Sequence, residues 1–144
     1  MNRQLYNIIT LIPRAWHRRG FGVQSPWAYE LVRDVFFERM HYYAYHDLSL
    51  SSERERQLWR INNHFSPHNV MHVTDATADA SRRIEAFAAT ADASKVLVID
   101  DINSTHAHLW QHLLRDSRAT VTFDLGYRGV ATFDPKRYKQ NYIL

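Results

Sequence analysis

The chain has 144 residues, a formal net charge of +3 and no cysteine. That length suits one domain with a sizeable core, and the lack of cysteine excludes disulfide bonds, thiolate chemistry and Cys-ligated zinc. The sequence shows no run near the roughly 20 apolar residues that a membrane span requires, so we expect no membrane partner and a cytoplasmic protein.

The first 65 residues have the pattern of helices. Gln4–Ile12 is predicted to form a short apolar helix that Pro13 ends or kinks. A second helix is expected to begin at Ser25-Pro26, because serine can cap the first turn and proline fits the first helical position. Its apolar residues recur with helical spacing and predict one buried face: Ala28, Leu31, Val32, Val35 and Phe36.

An aromatic segment and a third helix follow. We interpret His41-Tyr42-Tyr43-Ala44-Tyr45 as a connector whose rings either stack on bases or a partner or, as we favour, pack against a sheet. Ser52-Glu53-Arg54-Glu55 has the sequence of a capping box and predicts a helix start. The inner face of this helix is predicted at Leu58, Ile61 and Phe65, and Pro67 is expected to close it.

From residue 69 onward, strands and helices are predicted to alternate. The first strand is predicted at Asn69–Thr74, and Lys95–Ile99 is a continuous apolar run typical of a strand buried on both faces. Ser104 can cap the second of two amphipathic helices. The predicted inner faces of these helices are Ile84, Phe87, Ala88 and Ala91 in one, and Leu109, Trp110, Leu113 and Leu114 in the other.

The C-terminal part carries a hairpin signal. The turn sequence Gly126-Tyr127-Arg128-Gly129 lies between two predicted strands, Thr120–Asp124 and Val130–Asp134. The whole pattern predicts an α/β layered fold of about four strands, mostly parallel, ending in an antiparallel hairpin. Right-handed crossovers would place both connecting helices on one face and leave the other face to the N-terminal helices. We therefore predict a single domain over 1–144, with a helical segment at 1–68 packed on an α/β core at 69–144.

Two parts of the chain resemble a known family. Arg19–Trp27, together with Tyr42–Tyr45, resembles the helical N-terminal segment of a group of bacterial class I S-adenosylmethionine-dependent methyltransferases, in which histidine stands at the position of Gln24. The C-terminal part is similar to the last strands of that group. The similar residues run from Val98–Ile102 through Trp110 to Thr120–Gly126. The resemblance implies a reduced methyltransferase-like, Rossmann-like fold.

The middle of the chain departs from that family where the cofactor would bind. At the end of the first strand the family has an acidic residue and a glycine-rich turn, whereas this chain has the residues His72, Thr74, Asp75 and Ala78. Only glycine readily permits close approach of the backbone to a ribose or phosphate. Two further strands of the family have no counterpart here, and each buried ligand group left without a partner costs about 1–3 kcal/mol. We therefore expect a vestigial loop, no bound cofactor, no catalytic residues and a non-catalytic interaction or scaffold role.

The alternative is an enzyme that binds S-adenosylmethionine or another small ligand through altered contacts. Asp100 and Asp101 are the candidate residues for those contacts. In cation-dependent O-methyltransferases, the residues at the position that Asp100 and Asp101 resemble bind a divalent metal ion. Such ions need several oxygens, so we favour Asp100 or Asp101 capping the next helix or pairing with arginine, and expect no metal. His108 and His112 share a helix face, but a zinc site would lack its third ligand. We favour a solvated histidine pair.

A third hypothesis is an RNA-associated module. Residues 1–20 contain arginines and no acid, and Arg14, Arg18 and Arg19 lie beside aromatic residues, as in many nucleic-acid-binding surfaces. A solvated basic face explains the same pattern, and we favour it.

The shortened fold also points to a partner. Nothing in the sequence supplies a strand for the outer side of Val70–Val73, so this strand is predicted to form a sheet edge. An exposed apolar edge recruits another strand or is covered. We therefore predict a homodimer in which two such edges pair, with coverage by Tyr42–Tyr45 as the alternative.

Overall fold

The computed structural model describes Arg18, residues 22–74 and residues 79–144. The chain divides into a helical unit that ends at Ser66 and an α/β unit that spans Pro67–Ile143. The predicted helix Gln4–Ile12 lies outside the described residues, and the packing of the N-terminal helices on the sheet stays a prediction.

Helix α1 (Pro26–Leu31) begins where the sequence predicts. Its cap is Ser25, whose Oγ accepts a hydrogen bond from the N–H of Ala28 at 3.4 Å, and Pro26 holds the first helical position. The helix continues into a π-helical turn at Val32–Phe36. All members of the predicted apolar face are buried: Ala28, Leu31, Val32, Val35 and Phe36.

The aromatic segment was only partly predicted. Instead of a plain connector, it contributes to a short helix, α2 (Tyr43–Asp47). Helix α3 (Glu53–Phe65) then begins with the predicted capping box, in which Ser52 and Glu55 each accept a backbone hydrogen bond from the other. The helix ends at Phe65, two residues before Pro67, as predicted.

The inner face of α3 is more polar than predicted. Ile61 is fully buried, but Leu58 and Phe65 are only partly so, whereas Gln57 and Arg60 are buried. The Arg60 guanidinium donates to the carbonyl oxygens at the end of the π-helical turn and to a ring hydroxyl: Val35 O at 2.6 Å, Phe36 O at 2.9 Å and Tyr45 Oη at 3.1 Å. Carbonyls at a helix end lack partners within the helix, so Arg60 supplies the donor to Val35 O and shares Phe36 O with the side chain of Gln57.

The α/β unit contains five strands and two helices after a short 3₁₀ turn at Pro67–Asn69. The strands are β1 (Val70–Val73), β2 (Val96–Asp100), β3 (Val121–Asp124), β4 (Arg128–Thr132) and β5 (Gln140–Ile143). The helices are α4 (Asp79–Thr90), between β1 and β2, and α5 (Ala107–Arg115), between β2 and β3.

The strands form one mixed sheet in the order β1-β2-β4-β3-β5. The pairs β1–β2 and β3–β5 are parallel, and β4 is antiparallel to both of its neighbours. The α/β class and the C-terminal hairpin are as predicted, but the count of four strands was wrong because Gln140–Ile143 adds a fifth. The predicted turn was also too long, since Arg128 and Gly129 belong to β4.

Both helices of this unit pack on the same face of the sheet, as the crossover rule predicts. Ala80, Ile84 and Ala88 of α4 share one apolar cluster with Trp110 and Leu113 of α5. The sheet contributes Val73, Leu97, Ile99 and Ala131 to the same cluster, and Phe133, the residue after β4, also belongs to it. The start of α5 differs from prediction, because its cap position is His106 and not Ser104.

Among the helices of the described residues, none has the length and apolar character that crossing a membrane would take.

Candidate functional site

Three polar side chains of adjacent strands meet on the sheet face opposite α4 and α5. Asp100, the last residue of β2, is the register partner of Arg128, the first residue of β4. In β1, His72 is paired with Val98, two positions before Asp100. Side chains two residues apart along a strand lie on the same face, so His72, Asp100 and Arg128 form one cluster at the carboxyl ends of β1 and β2.

The carboxylate of Asp100 is the centre of this cluster. Nε of Arg128 donates to Oδ1 at 2.6 Å, and Nη2 donates to Oδ2 at 3.2 Å. The Nε2 atom of His72 lies 2.9 Å from the same Oδ2. Asp100 is 5% exposed and Arg128 3%, so water does little to screen the attraction between their charges.

The environment of Asp100 fixes its charge state. Burial raises its pKa, but hydrogen bonds from His72 and Arg128, together with the Arg128 charge, outweigh burial and hold the pKa at about 2. At neutral pH the carboxylate is ionised and can only accept hydrogen bonds. Nε2 of His72 therefore carries the hydrogen, and in the neutral imidazole Nδ1 is the acceptor. The His72 side chain is 25% exposed, so this ring is the most accessible member of the cluster.

The chain turns sharply after β2. Asp101 has φ = 55°, and its carbonyl accepts from the N–H groups of Ser104 at 3.1 Å and His106 at 3.0 Å. The buried ring of His106 donates from Nδ1 to the carbonyl of Asp100 at 2.7 Å. Asp100 is therefore held through its backbone as well as its side chain.

The predicted site residues do not form one site in the structure. Asp100 pairs with arginine, the arrangement we favoured over a metal site, whereas Asp101 contributes its backbone to the turn. Thr74 is exposed, and Asp75 and Ala78 lie outside the described residues. Across Arg18, 22–74 and 79–144, no group of three or more His, Asp or Glu side chains is arranged to hold a metal ion.

One of the predicted basic residues and both predicted histidines lie within the described part of the chain. Arg18 lines a cavity in the helical unit, and Arg14 and Arg19 lie outside the described residues. His108 and His112 are exposed on α5.

Arg128 was not among the predicted site residues, because the sequence pattern places it in the hairpin turn. One signal could have found it. Asp100 ends a strand that is buried along its whole length, and a buried carboxylate requires a charged or hydrogen-bonding partner. Arginine at the start of the next antiparallel strand is a suitable partner.

Comparisons of the chain with known proteins give no identification. No protein-family model, no curated protein and no solved structure matches it. The methyltransferase-like family therefore remains a proposal.

Proposed function

We propose that this chain is a non-catalytic methyltransferase-like protein with a reduced Rossmann-like fold and an interaction or scaffold role. One observation carries the proposal: both carboxylate oxygens of Asp100 are hydrogen-bonded by His72 and Arg128. In open α/β sheets, ligands bind beyond the carboxyl ends of the strands, and Asp100 is the acidic residue at the end of β2.

A carboxylate that holds a ribose or a metal must direct lone pairs at the ligand. Three hydrogen bonds already occupy most of the roughly four acceptor sites of the Asp100 carboxylate. A ligand would have to displace a buried guanidinium, and breaking a buried ion pair costs about 3–5 kcal/mol. The cluster therefore favours a structural use of this carboxylate over a ligand-binding use.

The proposed partner is a second copy of this chain. Among the described strands, β1 pairs only with β2 and is the first strand in the sheet order. Its residues Val70, Met71 and His72 are only partly buried. A strand in this position can extend the sheet by pairing with its own copy around a two-fold axis.

Isothermal titration calorimetry of the full chain with S-adenosylmethionine and S-adenosylhomocysteine tests the proposal. We expect no saturable heat with either compound, while circular dichroism of the same sample shows a folded protein. Saturable binding with a micromolar dissociation constant, which corresponds to about −8 kcal/mol, would overturn it.

A second candidate function is an enzyme that binds a small ligand through altered contacts. The observation that favours it is the accessible His72 ring, whose Nε2 is held by Asp100 and whose Nδ1 can accept a proton. General bases in enzymes are often histidines oriented by a carboxylate in this manner. A ligand that shifts the NMR signals of the His72 ring would support this candidate, and loss of that shift in His72→Gln would locate the site.

A further inference from the structure

The helical unit contains a cavity of about 770 Å³. Cavities of about 300–1,000 Å³ are the size that small-molecule sites occupy. Five arginines and three carboxylates line this cavity, so its formal charge is +2 with histidine neutral. Only those charges that lack an ion pair are available to a ligand.

The three carboxylates are all engaged. Asp34 accepts from Nε of Arg33 at 3.1 Å, and Glu53 pairs with the buried Arg60. Glu38 instead accepts from two backbone N–H groups, those of residue 39 at 2.7 Å and residue 40 at 2.9 Å.

Two of the arginines have no ion pair within the described part of the chain. Arg56 donates from Nε to the carbonyl of Leu50 at 3.0 Å, and its guanidinium lies 5.3 Å from the ring centroid of Tyr45. Both partners are neutral. The exposed Arg39 side chain has no hydrogen bond or ion pair to another described residue. The cavity wall thus presents two guanidinium groups, those of Arg39 and Arg56, that form no ion pair with its carboxylates.

We propose that this cavity binds the phosphomonoester group of a small organic molecule. A phosphomonoester carries a charge of about −1.5 to −2 at neutral pH and three acceptor oxygens, which suits two guanidinium groups. The cavity is much larger than a phosphate ion needs, and Met40 in its wall is 60% exposed, so an organic body can be accommodated. Nucleotides and sugar phosphates share this chemistry. A concave site favours either of them over an RNA backbone, which binds along extended basic surfaces.

Calorimetry of the full chain with adenosine 5′-monophosphate, glucose 6-phosphate, adenosine, glucose and inorganic phosphate tests this proposal. We expect at least one ester to bind and its unphosphorylated parent not to bind. The ester that binds identifies a nucleotide or a sugar phosphate as the ligand source. Arg39→Gln should weaken binding about tenfold, the effect of losing one charge-assisted hydrogen bond. Arg56→Gln should weaken it similarly.

Arg115→Gln is the matched control, because Arg115 is exposed in α5 and does not line the cavity. It makes the same charge change and should leave binding unaltered. Equal losses in Arg39→Gln and Arg115→Gln would show a general charge effect and overturn the proposal. Inorganic phosphate binding as tightly as either ester would indicate an adventitious ion only, and also overturns it. Binding of a single-stranded RNA oligonucleotide without binding of either ester would assign the basic surface to nucleic acid instead.

Phosphomonoester binding is independent of the proposed function. Ester binding concerns the helical unit, whereas the test with S-adenosylmethionine concerns the strand ends of the α/β unit. A lack of ester binding would leave the proposed non-catalytic role unaffected, and binding of S-adenosylmethionine would leave the phosphomonoester proposal unaffected.

Discussion

The indole ring of Trp110 occupies the space that a side chain on Gly129 would need. A Cβ placed on Gly129 would lie 2.5 Å from Cζ3 of Trp110 and 2.7 Å from two further ring atoms. Trp110 is 2% exposed and belongs to the apolar cluster between α5 and the sheet. Gly129 therefore allows α5 to pack directly against β4.

We expect Gly129→Ala to lower the free energy of unfolding by about 1–3 kcal/mol, the usual cost of overpacking a core. Urea denaturation measures the change. The control is the same substitution in a Trp110→Leu background, where the smaller side chain leaves room for a methyl group. An unchanged cost of Gly129→Ala in that background would show that the indole contact is not its cause.

The buried ion pair is expected to contribute far more than a surface one. Arg128→Met leaves the Asp100 charge buried with only His72 as a partner, and such changes cost about 3–5 kcal/mol. Arg82→Met is the control, because the Arg82–Asp79 pair has side chains 84% and 53% exposed and exposed pairs contribute little. Chemical denaturation of both variants tests this difference. Similar losses in the two would contradict the structural role of the cluster.

Arg60 is expected to stabilise the helical unit through the carbonyls it bonds. Arg60→Met removes the donor to Val35 O and one of the donors to Phe36 O. Leaving the Val35 carbonyl without this donor costs about 1–3 kcal/mol, whereas Phe36 O keeps its hydrogen bond from Gln57. Glu53→Gln should cost much less, because the Glu53 side chain is 62% exposed. Urea denaturation measures the free energy of unfolding of both variants. A larger loss in Glu53→Gln than in Arg60→Met would show that the hydrogen bonds from Arg60 to the carbonyls are not its main contribution.

The proposed pairing of β1 edges predicts an assembly with twice the chain mass of 17.0 kDa. Light scattering coupled to size exclusion measures the mass in solution. We expect the doubled mass at tens of micromolar, with dissociation on dilution because a four-residue strand offers few hydrogen bonds. A monomer mass across the whole concentration range would exclude this dimer.

Local signals in the sequence predicted much of the fold. Ser25-Pro26 and the Ser52–Glu55 capping box place the starts of α1 and α3, because caps depend on residues only three positions apart. The run that ends at Ile99 predicts a strand buried on both faces, since nothing in it could face water. These features depend little on the rest of the chain.

The features that the sequence did not predict are non-local or lack an apolar pattern. Strand β5 has mostly exposed residues, and its pairing depends on β3, about 20 residues earlier. Arg60 and Arg128 are buried charges, and sequence patterns assign arginine to the surface unless a partner is known. The candidate site was therefore only partly predicted: His72 and Asp100 were singled out, but their contact with each other and with Arg128 requires the sheet register.

The pKa of Asp100 makes stability depend on pH in a defined range. Its folded-state pKa of about 2 lies below its ordinary value of 3.8. Because folding lowers this pKa, the ionised carboxylate stabilises the fold above about pH 4, and the contribution is lost as pH falls from about 4 through 2. A shift of this size corresponds to about 2 kcal/mol. We expect the free energy of unfolding to fall more steeply over this range in the wild type than in Asp100→Asn.

The most direct test follows the side-chain carboxyl carbon of Asp100 by NMR as the pH is lowered, with and without S-adenosylhomocysteine. If His72 and Arg128 hold this carboxylate, its titration midpoint lies near 2 and the added compound leaves both the signal and the midpoint unchanged. A midpoint close to 3.8, or a signal that moves when the compound is added, would mean that the carboxylate is available to a ligand and would contradict the proposed non-catalytic role.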